Sequence, residues 1–220
     1  MKTNRRQFIS RSTLAAAGAI SFPAWAKNLS AGSKPIPVPG NIPMVISTWN
    51  HGYEANEAAW KILEKGGSAL DAVEAGVRVP EADPDNLSVG YGGLPDRDGN
   101  VTLDASIMNG NGECGSVTFL QHIKHPISVA RLVMEKTPHV MLSGQGALQF
   151  ALENGFMKEN LLTDKARKAW EKWLEKEEYK PVINVENHDT IGMLAIDKQK
   201  HIAGACTTSG LAYKMHGRVG

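Results

Sequence analysis

The sequence predicts an α+β fold, and three observations support this prediction. An apolar strand-like run lies at 44–49, two helical patterns follow it, and two later pairs of strand-like runs are each joined by a short polar turn. The predicted helices alternate with too few strands for a doubly wound fold, which favours the α+β class.

Composition is that of an ordinary soluble globular protein. The 220 residues are sufficient for one sizeable core, and 42% of them are hydrophobic and 21% charged. The net charge is only +1, and basic and acidic residues are interspersed, so we expect no nucleic acid partner. Cys114 and Cys206 are too few for a disulfide scaffold and lie in separate strand-like segments, so we expect them to be unpaired.

The first residues have the pattern of an export signal. Arg5 and Arg6 form a twin-arginine pair, an apolar stretch follows at 14–22, and small residues surround a cleavage position near Ala26. The apolar stretch is too short to cross about 30 Å of hydrocarbon. We therefore expect residues 1–26 to be a removable signal that directs export to the periplasm, with no membrane association afterwards.

Residues 27–43 are rich in Pro, Gly, Ser and Asn and are predicted to be a flexible arm. The folded part then begins with a strand at 44–49. A helix is predicted over 54–65, where alanine, isoleucine and leucine share one face, and it stops at two glycines. Ser68 and Asp71 have the spacing of a capping box for a second helix, which we expect to end before Pro80.

The middle of the chain predicts a hairpin followed by helices. An Asp-Gly turn at 98–99 precedes strands at 101–108 and 115–120. Helices are predicted over 126–136, 144–154 and 164–178. The last contains Trp170 and Trp173 among basic residues, but its mixture of charge signs fits a solvated helix better than an RNA-binding one.

The end of the chain predicts a second hairpin, with strands at 192–197 and 201–207 joined by a polar turn at 198–200. Thr190 would lie at the start of one strand and Thr208 at the end of the other. In an antiparallel pair these two ends are neighbours. The hairpin therefore predicts that the hydroxyl of Thr208 can reach the backbone nitrogen of Thr190.

The bond between Asp189 and Thr190 has the character of a self-cleavage site. A threonine hydroxyl is a weak nucleophile that needs an adjacent base, and a free α-amino group can supply one. Cleavage before Thr190 would create such an amino group on the same residue. The simpler interpretation of the stretch 187–190 is a polar turn before a strand, because Asn and Asp favour turns and Thr suits a strand.

Longer stretches decide in favour of self-cleavage, because they closely resemble the bacterial glycosylasparaginases, which belong to the N-terminal nucleophile hydrolases. The resemblance covers nearly everything from Met44 onward, and its strongest segments are 47–50, 90–99, 134–141, 188–193, 204–210 and 213–220. It implies a four-layer αββα sandwich and a precursor that cleaves itself into two subunits, of residues 44–189 and of residues 190 onward.

The resemblance also implies roles for individual residues. Thr190 would be the nucleophile and Thr208 would support it, whereas His188 and Asp189 would serve self-cleavage. Arg218 would pair with the α-carboxylate of a glycosylated asparagine, since a planar guanidinium grips a carboxylate with two hydrogen bonds. Trp49 would line the pocket.

The resemblance implies no cofactor and a heterotetramer of two cleaved protomers. It also implies that the second subunit continues beyond Gly220 to a carboxylate for the substrate amino group and a Thr-Gly pair that forms an oxyanion hole. We therefore interpret the chain as a truncated form. Two alternatives stay open: an L-asparaginase or isoaspartyl peptidase with the same nucleophile, and an inactive remnant.

A metal site is a weaker hypothesis based on His188, His201 and His216. Their spacing matches no zinc pattern, and the cysteines form no Cys-x-x-Cys pair. We expect no metal at these residues. Instead, we expect His201 to cap a turn and His216 to support the loop before Arg218.

Overall fold

The computed structural model describes residues 40–175 and 190–220, and residues 41–220 form one compact unit. The predicted signal 1–26, all but the end of the arm at 27–43, and His188 and Asp189 lie outside the described residues. The helices are α1 (Gly52–Leu63), α2 (Ala69–Ala82), α3 (Pro126–Lys136), α4 (Gly144–Glu153) and α5 (Asp164–Leu174). The strands are β1 (Met44–Ser47), β2 (Leu103–Asn109), β3 (Cys114–Leu120), β4 (Met141–Ser143), β5 (Ile191–Ile196) and β6 (Ile202–Thr208).

The strands form one mixed sheet in the order β1-β5-β6-β2-β3-β4. Four of the five pairings are antiparallel, and only β3 and β4 run parallel. The hairpin of β5 and β6 has the predicted register, with Ile191 opposite Thr207. The α+β prediction is therefore confirmed for the described residues, where the structure has one sheet.

Two local sequence signals correctly predicted where helices begin. Helix α3 begins at Pro126 and ends at Lys136, as expected, because proline suits the first turn of a helix, where an amide hydrogen would have no partner. The side chain of Ser68 accepts a hydrogen bond from the backbone nitrogen of Asp71, which confirms the N-terminal cap of α2.

Two expectations about helix ends were wrong, and one strand was missed. Helix α2 continues through Pro80 to Ala82, because a proline in the last turn removes only one helical hydrogen bond. Helix α5 ends at Leu174 with Glu175 as its C-cap, short of the predicted end at 178, and 176–178 lie outside the described residues. Strand β4 was not predicted, because three residues carry no periodicity.

One face of the sheet, called here the covered face, packs against helices α1 to α4. Its side chains are buried, among them Ile191 and Met193 of β5, Ile107 of β2 and Val117 of β3. The packing is so close that the helix backbone touches the strand. A Cβ atom added to Gly115 of β3 would lie 2.0 Å from the backbone oxygen of Ala130 in α3. The covered face therefore holds the main core.

The opposite face, called here the open face, has no layer of described residues over it. Large apolar side chains stand exposed along it: 56% of Ile46, 53% of Leu194, 55% of Ile202 and 49% of Met108 are accessible. They border a broad depression of about 870 Å³. Because apolar side chains are costly to expose in such a continuous group, this face has the character of an interior surface.

Among the helices of the described chain, none combines the length and the apolar character that crossing a bilayer would require. Cys114 and Cys206 are free thiols. Cys206 is partly buried, and this burial raises the pKa of its thiol.

Candidate active site

The two predicted catalytic threonines lie at one end of the hairpin of β5 and β6. Thr190 directly precedes β5 and Thr208 ends β6, and the neighbouring pair is Ile191 opposite Thr207. Because side chains alternate along a strand, Thr190 and Thr208 share the open face. This register makes the two residues neighbours, whereas the reach of the Thr208 hydroxyl to the backbone nitrogen of Thr190 stays a prediction.

Thr48, for which the sequence predicted no role in the site, holds the start of β5. Its hydroxyl donates to the backbone oxygen of Thr190 at 3.1 Å and accepts from the backbone nitrogen of Gly192 at 2.9 Å. Its own backbone nitrogen donates to the oxygen of Gly192 at 3.0 Å. Thr190 is thus tied to the chain after β1 by a side chain as well as by the sheet.

Trp49 follows Thr48 and therefore lies at the same end of the sheet. Its φ of 64° is in the left-handed region, which is uncommon for a residue other than glycine. Its side chain is 49% exposed. A bulky residue held in a strained conformation and half open to solvent is typical of a binding position.

The hydroxyl of Thr208 is fixed by the loop that follows it. It accepts a hydrogen bond from the backbone nitrogen of Gly210 at 2.9 Å and contacts the backbone oxygen of Ser88 at 3.5 Å. The oxygen of Ser88 also accepts from the hydroxyl and the backbone nitrogen of Ser209, both at 2.9 Å. Thr208 is 7% exposed, so these bonds leave it little freedom to change its orientation.

A buried ion pair lies beside this threonine. Asp104 of β2 stands opposite Thr208 in the sheet, and its carboxylate is 3.5 Å from the ammonium of Lys214. Lys214 is only 1% exposed. Loss of hydration lowers the pKa of Lys214, and the charge of Asp104 counteracts that effect only in part. This pair could not be predicted from the sequence, because its two members are far apart in the chain.

The loop that carries Arg218 is attached to the turn at 95–100. The backbone nitrogen of Tyr213 donates to Pro95, and that of Arg97 donates to Lys214. His216 lies 2.6 Å from the buried carboxylate of Asp96, which confirms that this histidine supports the loop. The guanidinium of Arg218 is exposed and makes no hydrogen bond or ion pair with any residue that the structure describes.

Thr207 points to the covered face and meets a different carboxylate. Its hydroxyl donates to Glu81 at 2.8 Å, and Glu81 also accepts from the backbone nitrogen of Ile127 at 3.1 Å and lies 3.1 Å from Nδ1 of His125. Burial raises the pKa of Glu81, more than these hydrogen bonds lower it. Glu81 therefore holds β6, the strand that ends in Thr208, from the covered face.

His201 and His216, the two described histidines of the metal hypothesis, lie beside different carboxylates. His201 lies 3.4 Å from Asp197 at the turn between β5 and β6, as expected for a turn-capping residue, whereas His216 lies beside Asp96. His188 is outside the described residues. Asp96, Asp98 and His216 have ligand atoms within 4.8 Å of one another, but one oxygen of Asp96 already accepts two backbone hydrogen bonds and the other faces His216.

A family model described as Asparaginase matches residues 47–220. The N(4)-(Beta-N-acetylglucosaminyl)-L-asparaginase of Elizabethkingia miricola is 61% identical over 100% of this chain and 64% of its own length. The enzyme of that name from Rattus norvegicus is 39% identical over 87% of this chain and 63% of its own. The isoaspartyl peptidase/L-asparaginase of Bos taurus is 45% identical over 76% of this chain and 55% of its own length.

These matches confirm the resemblance to the glycosylasparaginases. The chain spans less than two thirds of the length of these relatives, at 64%, 63% and 55%. The matched residues 47–220 include Trp49, Thr190, Thr208 and Arg218. The chain belongs to the asparaginase family that this model describes.

Proposed function

We propose that this protein is the precursor of an amidohydrolase that cleaves itself between Asp189 and Thr190 and then hydrolyses glycosylasparagine. The observation that carries the proposal is the register of β5 and β6, which makes Thr190 and Thr208 neighbours at one end of the open face. The activity is proposed for a polypeptide of the relatives' length, in which a carboxylate and an oxyanion hole would complete the site.

The first reaction would make the nucleophile. The hydroxyl oxygen of Thr190 attacks the carbonyl carbon of Asp189, the carbon–nitrogen bond breaks, and the nitrogen takes a proton to become a free amine. Water then hydrolyses the resulting ester, which gives a carboxylate on Asp189 and restores the hydroxyl of Thr190. His188 and Asp189 would assist this step, and the hydrogen bond from Thr48 would hold the start of β5 still while the preceding bond breaks.

The second reaction would use the new amine as a base. It takes the proton from the hydroxyl of Thr190 as the oxygen attacks the side-chain amide carbon of the substrate, and it returns a proton to the departing glycosylamine. Water hydrolyses the aspartyl ester on Thr190 and releases aspartate. Arg218 would pair with the α-carboxylate of the substrate, and Trp49 would line the pocket. Thr208, whose orientation is fixed, would support the nucleophile.

Glycosylasparagine is the favoured substrate for two reasons. Two relatives at 61% and 39% identity carry the name N(4)-(beta-N-acetylglucosaminyl)-L-asparaginase. The residue before Thr190 is an aspartate, as in the glycosylasparaginases that the sequence resembles. The second candidate is an L-asparaginase or isoaspartyl peptidase, which the bovine relative at 45% identity supports. Comparing aspartate release from glycosylasparagine, asparagine and isoaspartyl dipeptides would distinguish the two.

The open face supports a further part of the proposal. Its exposed apolar side chains would be covered by a second sheet, which would complete a four-layer αββα sandwich. Two cleaved protomers would form a heterotetramer, and the twin-arginine pattern would direct export to the periplasm. No cofactor is proposed for either reaction.

Intact mass spectrometry tests the proposal directly. After incubation at neutral pH, we expect a fragment that begins at Thr190, together with aspartate release from glycosylasparagine. Thr190→Val, which keeps the shape but removes the hydroxyl, should abolish both. Thr137→Val, a matched change just after the C-terminal end of α3 and away from the site, should leave both intact. An uncleaved chain that still releases aspartate would rule out Thr190 as an amino-terminal nucleophile, and an uncleaved, inactive chain would favour the remnant.

A further inference from the structure

The loop that carries Arg218 is fastened to one carboxylate at two points. One oxygen of Asp104 accepts from the backbone nitrogen of Gly220 at 2.8 Å and lies 3.5 Å from the ammonium of Lys214. The other oxygen accepts from the backbone nitrogen of Phe119 at 2.9 Å. Lys214 precedes Arg218 by four residues and Gly220 follows it by two. The segment between these two anchors is therefore short, and Arg218 lies inside it.

Because the ammonium of Lys214 is buried, it depends on a nearby opposite charge. Lys214 is 1% exposed, and its nitrogen is shielded from solvent and has no hydrogen bond of good geometry among the described residues. A buried charge is costly unless an opposite charge lies close to it, and Asp104 is the acidic side chain within ion-pair distance. Movement of the loop away from Asp104 would leave this charge without its partner. The pair therefore fixes position more strongly than an exposed ion pair would.

The same carboxylate belongs to the strand beside the catalytic residues. Asp104 stands opposite Thr208 in the pairing of β2 with β6, and Thr208 is the neighbour of Thr190 across the hairpin. A Cβ atom added to Gly210, whose nitrogen donates to Thr208, would lie 2.7 Å from the ammonium of Lys214. Lys214 thus fills the space directly behind the turn that orients Thr208.

From this arrangement we propose that Asp104 and Lys214 are positioning residues that hold Arg218 at a fixed distance from the pair of Thr190 and Thr208. They would thereby affect the binding of the substrate through Arg218 and leave the cleavage step itself to the two threonines. This inference rests on the proposed function and deepens it, because Arg218 itself makes no contact that would fix its guanidinium among the described residues.

Three variants test this inference: Asp104→Asn, Lys214→Met and the double variant. Each should raise the KM for glycosylasparagine about tenfold and change kcat less than threefold, because the binding of the carboxylate suffers more than the chemistry. For a substrate analogue without the α-carboxylate, KM should not change. In the double variant the unfolding midpoint should recover relative to the single variants, because no unpaired charge stays buried, whereas the raised KM should persist.

The control is Asp85→Asn, which removes an exposed ion pair with Lys165 and should leave KM unchanged. Amide hydrogen exchange over 211–220 gives a readout that needs no activity, and it should become at least about tenfold faster in Lys214→Met. If the wild-type protein shows neither cleavage nor hydrolysis, the proposed function is contradicted. The exchange measurement still tests whether Asp104 and Lys214 hold the loop, because it needs no activity. Unchanged exchange, an unchanged KM, or an equal KM increase for the analogue would overturn the inference.

Discussion

Thr207 and Thr208 are consecutive residues of one strand, yet they face two different environments. Thr207 points into the covered face and donates to Glu81, which is completely buried and accepts from the main chain as well. Thr208 points to the open face, where Asp104 lies opposite it and holds a loop through Lys214 and Gly220. The covered face uses a carboxylate to stabilise packing. On the open face, a carboxylate holds the loop that carries Arg218.

Two glycines should reveal the largest difference between the faces. In Gly115→Ala the new methyl group would meet the backbone of α3, so we expect a loss of about 3 kcal/mol or more in the free energy of unfolding. In Gly192→Ala on the open face, the nearest atom is 3.9 Å away in Thr48, and we expect a change within about 0.5 kcal/mol. Urea unfolding of both variants measures this difference, and equal losses would contradict it.

Met193 and Leu194, which are neighbours in β5, give a smaller contrast. Met193 is 2% exposed, and Met193→Ala should cost about 3 kcal/mol through loss of burial and the cavity it leaves. Leu194 is 53% exposed, and Leu194→Ala should cost less than about 1 kcal/mol in this chain. Thermal unfolding measures both. A cost above about 2 kcal/mol at Leu194 would show that the open face is covered in solution.

The smallest effect concerns the pH dependence caused by Glu81. Burial raises its pKa in the folded state, so the folded protein keeps a proton that the unfolded chain releases. Stability should therefore fall as the pH rises from about 4.5, the ordinary pKa of glutamate, to the raised value, and stay level above it. Each pKa unit corresponds to about 1.4 kcal/mol.

Glu81→Gln should remove this slope, because an amide does not titrate. His125, Thr207 and the backbone nitrogen of Ile127 contact Glu81, and glutamine keeps a carbonyl oxygen that can accept from Thr207 and Ile127 while it loses the titrating carboxyl group. Urea midpoints measured at several pH values give the slope. A variant with the same slope as the wild type would show that another group causes it.

Local signals in the sequence predicted much of the fold. The cap at Ser68, the start of α3 at Pro126 and the hairpin of β5 and β6 each depend on residues that are close in the chain. Strand β4 escaped prediction, because three residues gain their structure from pairing with β3. The extension of α2 past Pro80 depends on tertiary contacts, since Glu81 is held by side chains far along the chain.

The candidate site also has a part that the sequence could predict and a part that it could not. The neighbourhood of Thr190 and Thr208 could be predicted, because the turn between their strands sets the register. The contacts of Thr48 with β5 and of Asp104 with Lys214 could not, since each joins residues more than a hundred positions apart. Their side chains are brought together by the order of strands in the sheet, which no local pattern encodes.

Chain ends usually fray, because the first residues of a chain lack partners on one side. A cut before Thr190 would create such an end at the place where a rigid nucleophile is needed. The hydroxyl of Thr48 is hydrogen-bonded to the backbone of both Thr190 and Gly192. It would therefore hold the newly made amino terminus in place. The proposed enzyme would thus gain a free amine without gaining the mobility that a free amine normally brings.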